Sequence, residues 1–109
     1  MPNPNPHGAV FESAVRDYLR AQGLVAVKPR QTTRLDVGDI HLEDDIVVQA
    51  KHWKNIAGAL REGTASAQDQ ARRAKRPIGV SVIKKPRAPI ADAYVAMPLH
   101  VFATLLRAR

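Results

Sequence analysis

Apolar residues recur at helical spacing near the start of the chain and form short runs further along. Three- and four-residue spacings predict a first helix over residues 8–22, and Gly23 is a natural stop for it. The residues that carry this spacing are Phe11, Val15, Tyr18 and Leu19. Residues 1–7 alternate proline with asparagine, which predicts a flexible lead-in to a single domain over residues 8–109.

Five short apolar runs predict β-strands. They lie at residues 24–27, 37–42, 46–51, 78–83 and 93–97. The alanine-rich stretch over residues 55–75 predicts a helix with a break at Gly63. Pro98 suits the first turn of a closing helix. Its predicted apolar face consists of Leu99, Phe102, Leu105 and Leu106.

These elements give the order α-β-β-β-α-β-β-α, an α/β fold with a mixed sheet flanked by helices. The chain has 109 residues, 45% of them hydrophobic and 25% charged, which is the composition of one globular domain. It contains no cysteine, which excludes disulfides, thiolate zinc sites and a cysteine nucleophile. We expect an intracellular protein, since the chain has neither a membrane-spanning run nor a signal-peptide pattern.

Charge is distributed unevenly along the chain. The net charge is +7, but residues 1–50 carry −2 and residues 51–109 carry +9. A basic half predicts a polyanionic partner, DNA or RNA. Its candidate phosphate-binding residues are Arg72, Arg73, Lys75, Arg76, Lys84, Lys85 and Arg87.

The third and second predicted strands place polar residues opposite one another. A three-residue turn over 43–45 would pair Leu42 with Ile46 and bring Asp39 opposite Gln49. Lys51 would then be a diagonal neighbour on the same face. A two-residue turn would shift the register by one and turn Gln49 to the wrong face.

Glu12 adds a carboxylate at the edge of the apolar stripe of the first helix. It either bridges to Arg16 one turn later or binds a ligand. Magnesium prefers hard oxygen ligands, so Glu12, Asp39, Gln49 and a backbone carbonyl at Ala50 form a candidate Mg²⁺ site, in which Mn²⁺ would substitute.

The strings Asp39-Ile40 and Val47-Val48-Gln49-Ala50-Lys51 resemble the PD-(D/E)xK nuclease superfamily. Glu12 resembles the helical glutamate of archaeal-type Holliday junction resolvases and their phage relatives, and the Gln-x-Lys form is similar to Mrr-like restriction endonucleases. The resemblance implies a restriction-endonuclease-like core, a homodimer acting on branched DNA, and catalysis by Glu12, Asp39, Gln49 and Lys51. It also implies that the protein works in the cytoplasm of a prokaryotic cell or phage-infected host.

The chain departs from the family pattern at several positions. Gln49 replaces the commoner acidic ligand, and Gly38 stands where a proline usually precedes the aspartate. Asp36 is a rival to Asp39 for the metal. Accessory candidates are Gln70, on the helix after the lysine, and His41, on the Asp39 face.

His52 and Trp53 directly follow Lys51, the candidate catalytic lysine. The tryptophan either packs in the core or stacks on a nucleobase, and the histidine is the weaker ligand candidate. The sequence thus predicts a Mg²⁺-dependent DNA endonuclease, in the first place a Holliday junction resolvase. The alternatives are an Mrr-like restriction or repair nuclease, a DNA-binding module with a decayed site, and a basic structural protein.

Overall fold

The computed structural model describes residues 6–30 and 36–109. The helices are α1 (Pro6–Ala21), α2 (Ile56–Arg73) and α3 (Leu99–Arg107), with a 3₁₀ turn at Ile90–Asp92. The strands are β1 (Ala26–Val27), β2 (Ile40–Leu42), β3 (Ile46–Lys51), β4 (Ile78–Ile83) and β5 (Tyr94–Ala96). The predicted order of helices and strands is confirmed, with the 3₁₀ turn as an addition.

The five strands form one mixed sheet in the order β1-β2-β3-β4-β5. Strands β3 and β4 are parallel and joined by α2, whereas the other neighbours are antiparallel. Leu42 pairs with Ile46 across a three-residue turn, so the predicted hairpin register is confirmed. The predicted pairing of Asp39 with Gln49 is not formed: the last registered pair is Ile40 with Val48, and the Asp39 amide donates to the Val48 carbonyl instead.

Alternation along β3 and β4 divides the buried side chains between two helix layers. Ile46 and Val48 share a core with Phe11 and Val15 of α1 and with Val101 of α3. The opposite face packs against α2, whose small residues allow a close approach. A side chain at Gly79 of β4 would collide with the Ala67 carbonyl of α2.

The predicted helix break at Gly63 is wrong, because α2 runs without interruption from Ile56 to Arg73. A Cβ atom at Gly63 would collide with the Ser81 hydroxyl of β4 and would lie 3.3 Å from Lys51 Cγ. The glycine is therefore required by helix-to-sheet packing, which local helix propensity does not reveal.

The predicted apolar face of the closing helix is also wrong in three of its four members. Val101 is the buried residue of α3, at 3% exposure, and Leu105 packs partly against the core. Leu99 is 82% exposed, and Phe102 and Leu106 are also exposed. The helix has apolar residues on more than one side, so spacing alone did not select the side that packs on β4.

The first helix begins at Pro6, two residues before its predicted start. The remainder of the predicted flexible lead-in, residues 1–5, lies outside the described residues. Over residues 6–30 and 36–109, we find no helix with the length and hydropathy needed to span a membrane.

Candidate active site

Three carboxylates line one cleft, formed by α1, the residues after β1 and the segment before β2. Glu12 reaches it from α1, and Asp36 and Asp39 come from the segment that leads into β2. The cleft has a volume of about 220 Å³ and is also lined by Lys28 and Pro29, which follow β1. The fold therefore brings together both acidic residues predicted for the metal site, Glu12 and Asp39, and also Asp36, the rival of Asp39.

Two hydrogen bonds hold Asp39 against β3. Its carboxylate Oδ2 accepts from the Ala50 amide at 2.8 Å, and its own amide donates to the Val48 carbonyl at 3.0 Å. Asp39 is thus fixed beside the last residues of β3, at Ala50, which precedes Lys51 in that strand. The local backbone has left the regular ladder, because β2 and β3 show no registered pair beyond Ile40 with Val48.

Burial raises the pKa of the Asp39 carboxyl to about 6. The negative charges of Glu12 and Asp36 raise it further, while the Ala50 hydrogen bond and the positive charge of Lys51 act in the opposite direction. The ionised form of Asp39 is therefore poorly compensated by the protein. A bound cation would supply the missing compensation.

Glu12 is half-buried and makes no hydrogen bond or ion pair with any other residue that the structure describes. The cation one turn along the helix, Arg16, turns instead to Asp17, with 3.3 Å between Nε and Oδ1. The alternative role predicted for Glu12, a bridge to Arg16, is therefore not found. The Glu12 carboxylate remains available to a ligand in the cleft.

Lys51 is half-buried at the end of β3. Its Nζ lies 4.6 Å from the centroid of the Trp53 ring, and its carbonyl accepts a hydrogen bond from the Lys84 amide at 3.0 Å. The close approach of Lys51 Cγ to Gly63 shows that the side chain runs past α2. From there its charge acts on Asp39.

Gln49 does not line the carboxylate cleft. It is 8% exposed and belongs to the face of β3 that α2 covers, next to Ser81 of β4 in the parallel register. Its Oε1 has no hydrogen-bond partner within the described part of the chain, and the same holds for the Ser81 hydroxyl. The structure therefore separates Gln49 from Glu12, although both were predicted to hold one ion.

Gln70 lies against the sheet at 2% exposure, on the inner side of α2. Its Nε2 donates to Asp36 Oδ2 at 2.8 Å, and the Gly38 amide donates to the other Asp36 oxygen at 2.9 Å. Arg73 Nη1 adds a bond to the Asp36 carbonyl at 3.2 Å. Asp36 is thus anchored by three neighbours, a role that the spacing of these residues in the sequence did not indicate.

The two histidines considered as ligands or bases are both engaged elsewhere. His41 Nε2 lies 2.9 Å from the Val37 carbonyl and fixes the segment before Asp39. His52 Nδ1 lies 3.3 Å from the His7 carbonyl, and the two imidazole rings make an edge contact. Neither side chain lines the carboxylate cleft.

The predicted phosphate-binding cations fall into two groups. The first lies in the last turn of α2 and just beyond it, and most of it makes contacts within the protein. Arg76 donates to the Glu43 and Ile46 carbonyls, and Arg72 pairs with Asp69. The second group follows β4 at the Lys51 end of the sheet. It consists of Lys84, Lys85 and Arg87, of which Lys85 and Arg87 are exposed.

The donor set of the cleft fits a hard divalent ion only in part. In the described ranges, no three His, Asp or Glu side chains converge closely enough to hold a metal by themselves. Magnesium, however, is often bound by one or two carboxylates, water and substrate phosphate, which matches two carboxylates in an open cleft. No protein-family model matches the sequence, and no curated protein or solved structure matches it.

Proposed function

We propose that the chain is a metal-dependent DNA endonuclease with a restriction-endonuclease-like core, acting on branched DNA such as a four-way junction. One observation carries this proposal: Glu12 and Asp39 line the same cleft, neither makes an ion pair with another described residue, and the positive charge of Lys51 at the end of β3 acts on Asp39. Carboxylates left unneutralised next to a half-buried lysine are typical of sites that complete their charge balance with a metal and a phosphate.

Glu12, Asp39 and the Ala50 carbonyl are the groups that would hold the ion. Magnesium, or manganese in its place, would supply a water of lowered pKa and neutralise charge on the phosphate. The Asp39 carboxylate is already fixed by the Ala50 amide, so it would present one oxygen without a change of rotamer. Gln49 has an unpartnered oxygen but lies under α2, which leaves the shell dependent on the two carboxylates.

Lys51 would stabilise the negative charge that develops on the phosphate oxygens during hydrolysis. Its Nζ lies over the Trp53 ring, its positive charge acts on Asp39, and it forms no ion pair with a carboxylate of the described residues. Lys84, Lys85 and Arg87 lie at the same end of the sheet and would contact the DNA backbone. Gln70 would act indirectly, by fixing Asp36 beside the cleft.

Symmetric cutting of a junction requires two active sites, so the proposal includes a two-fold homodimer. The exposed apolar side chains of α3, Leu99, Phe102 and Leu106, support an association surface on this helix. Sedimentation velocity of the protein and of its Leu99→Glu variant measures this directly. A monomer at micromolar concentration would contradict the dimer.

The test of the function is cleavage of a labelled four-way junction with Mg²⁺, beside a linear duplex of matching sequence. We expect paired symmetric nicks in the junction alone, and their loss in Lys51→Ala. The Arg109→Gln variant is the matched control, because it removes a cation at the other end of β3, where Arg109 lies 3.8 Å from Asp45. Equal cutting of both DNAs would instead indicate an Mrr-like restriction or repair nuclease.

A second candidate function is a DNA-binding module with a decayed active site. The placement of Gln49 away from the cleft favours it, because the remaining carboxylates are fewer than most metal sites use. Titration calorimetry with Mn²⁺ at pH 8 separates the two. Binding that disappears in Asp39→Asn supports the nuclease, whereas junction binding without metal binding or cutting supports the decayed module.

A further inference from the structure

A second cleft lies around the loop that follows Lys51 and shares no described lining residue with the carboxylate cleft. It has a volume of about 320 Å³ and is lined by His7, His52, Trp53, Lys54, Lys84 and Pro86. Its floor is formed where the adjacent parallel strands β3 and β4 end, since the Lys84 amide donates to the Lys51 carbonyl at 3.0 Å. The proposed catalytic site does not use His52 or Lys54, and it uses Trp53 only through the contact of its ring with Lys51.

Trp53 is half-buried in the loop between β3 and α2 rather than enclosed in the core. Lys51 Nζ lies 4.6 Å from the centroid of the ring, and His7 and His52 complete the aromatic lining. Aromatic faces that remain partly open to solvent are the platforms on which unpaired nucleobases stack. The core-packing role predicted for Trp53 is therefore not what the structure shows.

The charges around this cleft are of one sign. Lys54 and Lys84 line it, and none of the described residues that line it is acidic. Lys85 and Arg87 continue the positive surface beyond Lys84. An aromatic platform between lysines matches the two parts of a nucleotide, because a base stacks on the rings while a phosphate contacts the cations.

We propose that this cleft binds one unstacked nucleotide of an unpaired nucleic-acid strand, with its base against Trp53 and its phosphate between Lys54 and Lys84. The inference rests on the proposed function only in its choice of nucleic acid as the partner. A nucleotide held beside Lys51 would place the neighbouring phosphodiester towards the carboxylate cleft. Preference for branched over linear DNA would then arise from the unpaired bases at a branch.

Trp53 is the only tryptophan of the chain, so its fluorescence reports on this cleft alone. We would titrate the protein, in EDTA to prevent cleavage, with an unpaired DNA oligonucleotide, an unpaired RNA of the same sequence, and the DNA duplex. Heparin serves as a polyanion without bases. We expect saturable quenching by unpaired strands at lower concentration than by duplex, and no quenching by heparin. The DNA and RNA arms show which unpaired strand binds more tightly.

Variants test the stacking separately from the charge. We expect Trp53→Leu to weaken binding of a labelled unpaired strand about tenfold or more, with duplex binding changed less than about twofold, whereas Trp53→Phe retains most of the affinity. Lys84→Gln should weaken the binding of every nucleic acid and should also reduce the salt dependence of that binding. The matched control is Arg109→Gln, which removes one charge at the other end of β3, where Arg109 lies 3.8 Å from Asp45.

Quenching by heparin equal to that by DNA, or equal loss of duplex and unpaired binding in Trp53→Leu, would overturn the nucleotide cleft. Circular dichroism confirms that each variant is folded, and Lys84→Gln keeps the test open if Trp53→Leu is not. The outcome is independent of catalysis. Duplex cleavage without quenching would remove the cleft and leave the nuclease, whereas quenching without cleavage would do the reverse.

Discussion

The charged side chains at the two ends of β3 differ in whether they have partners within the described protein. At the Ile46 end, the Arg76 guanidinium donates to the Glu43 carbonyl at 2.8 Å and to the Ile46 carbonyl at 3.4 Å. Arg109 lies 3.8 Å from Asp45 at the same end. At the Lys51 end, Asp39 and Glu12 line one cleft, and neither makes an ion pair with another residue that the structure describes.

Under the proposed function, the carboxylates of Glu12 and Asp39 are the charges that a ligand would neutralise. Cations suitable for neutralising the carboxylates are close at hand, since Arg16 is one helical turn from Glu12 but pairs with Asp17. A buried carboxylate whose pKa is raised to about 6 costs stability at neutral pH, so its retention fits a function better than a structural role.

The largest expected effect is on catalysis at the Lys51 end. Asp39→Asn should lower the rate of Mg²⁺-dependent junction cleavage by roughly 10²- to 10³-fold, because it removes a metal ligand and keeps the shape of the side chain. Initial rates under single-turnover conditions measure the effect. Asp45→Asn is the matched control at the other end, and a rate loss of similar size there would break the comparison.

Two glycines at the contact between α2 and β4 allow effects on stability and on activity to be measured separately. Gly79→Ala would force a methyl group against the Ala67 carbonyl and should lower the free energy of unfolding by about 3 kcal/mol, measured by urea denaturation. The folded fraction should keep its cleavage rate. Gly63→Ala would press on Ser81 and on Lys51 Cγ, so we expect the folded protein to lose activity as well. Unchanged cleavage by folded Gly63→Ala would show that Lys51 does not need its present position.

The sequence predicted the sheet well because strand alternation and turn length are local properties. The three-residue turn was enough to establish the pairing of Leu42 with Ile46 and thereby the common face of Val47, Gln49 and Lys51. It could not show that Asp39 leaves the ladder to bond the Ala50 amide. That contact depends on a backbone irregularity rather than on residue pattern.

The parts that escaped prediction depend on contacts between distant segments. Gln70 meets Asp36 across 34 positions of the chain, and no spacing rule connects an α2 amide to that carboxylate. Gly63 resembles a helix break locally and is instead a contact with Ser81. Likewise, Val101 rather than Leu99 packs on the core because of how α3 lies on β4, which the periodicity of the helix left undetermined.

The pH dependence of stability provides a third comparison. The pKa of Asp39 is near 3.8 in an unfolded chain and about 6 in the folded protein, so the folded state binds more protons between these values. Its contribution to stability is therefore present below about pH 4 and is lost as the pH rises through 6. Asp39→Asn removes this loss and should raise the free energy of unfolding at pH 8 by about 2 kcal/mol.

Thermal and urea denaturation between pH 4 and pH 8 check this prediction. The protein should lose stability across the range relative to Asp39→Asn, and Mg²⁺ at pH 8 should restore part of the difference only where Asp39 is present. Asp45→Asn should have the opposite sign, a small loss, because Asp45 lies near Arg109. Parallel pH profiles for the protein and Asp39→Asn would show that Asp39 is not the uncompensated group.

The smallest expected effect lies at the Ile46 end and tests whether its cations are structural. Arg76→Met should lower the free energy of unfolding by about 1–2 kcal/mol, because the part-buried carbonyls of Glu43 and Ile46 lose a charged donor. Arg72→Met should change it by less than about 0.5 kcal/mol, since the pair with Asp69 is exposed. Urea denaturation gives both values. If Arg76→Met kept full stability but bound DNA more weakly, Arg76 would belong to the phosphate-binding surface, and the two ends of β3 would differ less than their hydrogen bonds indicate.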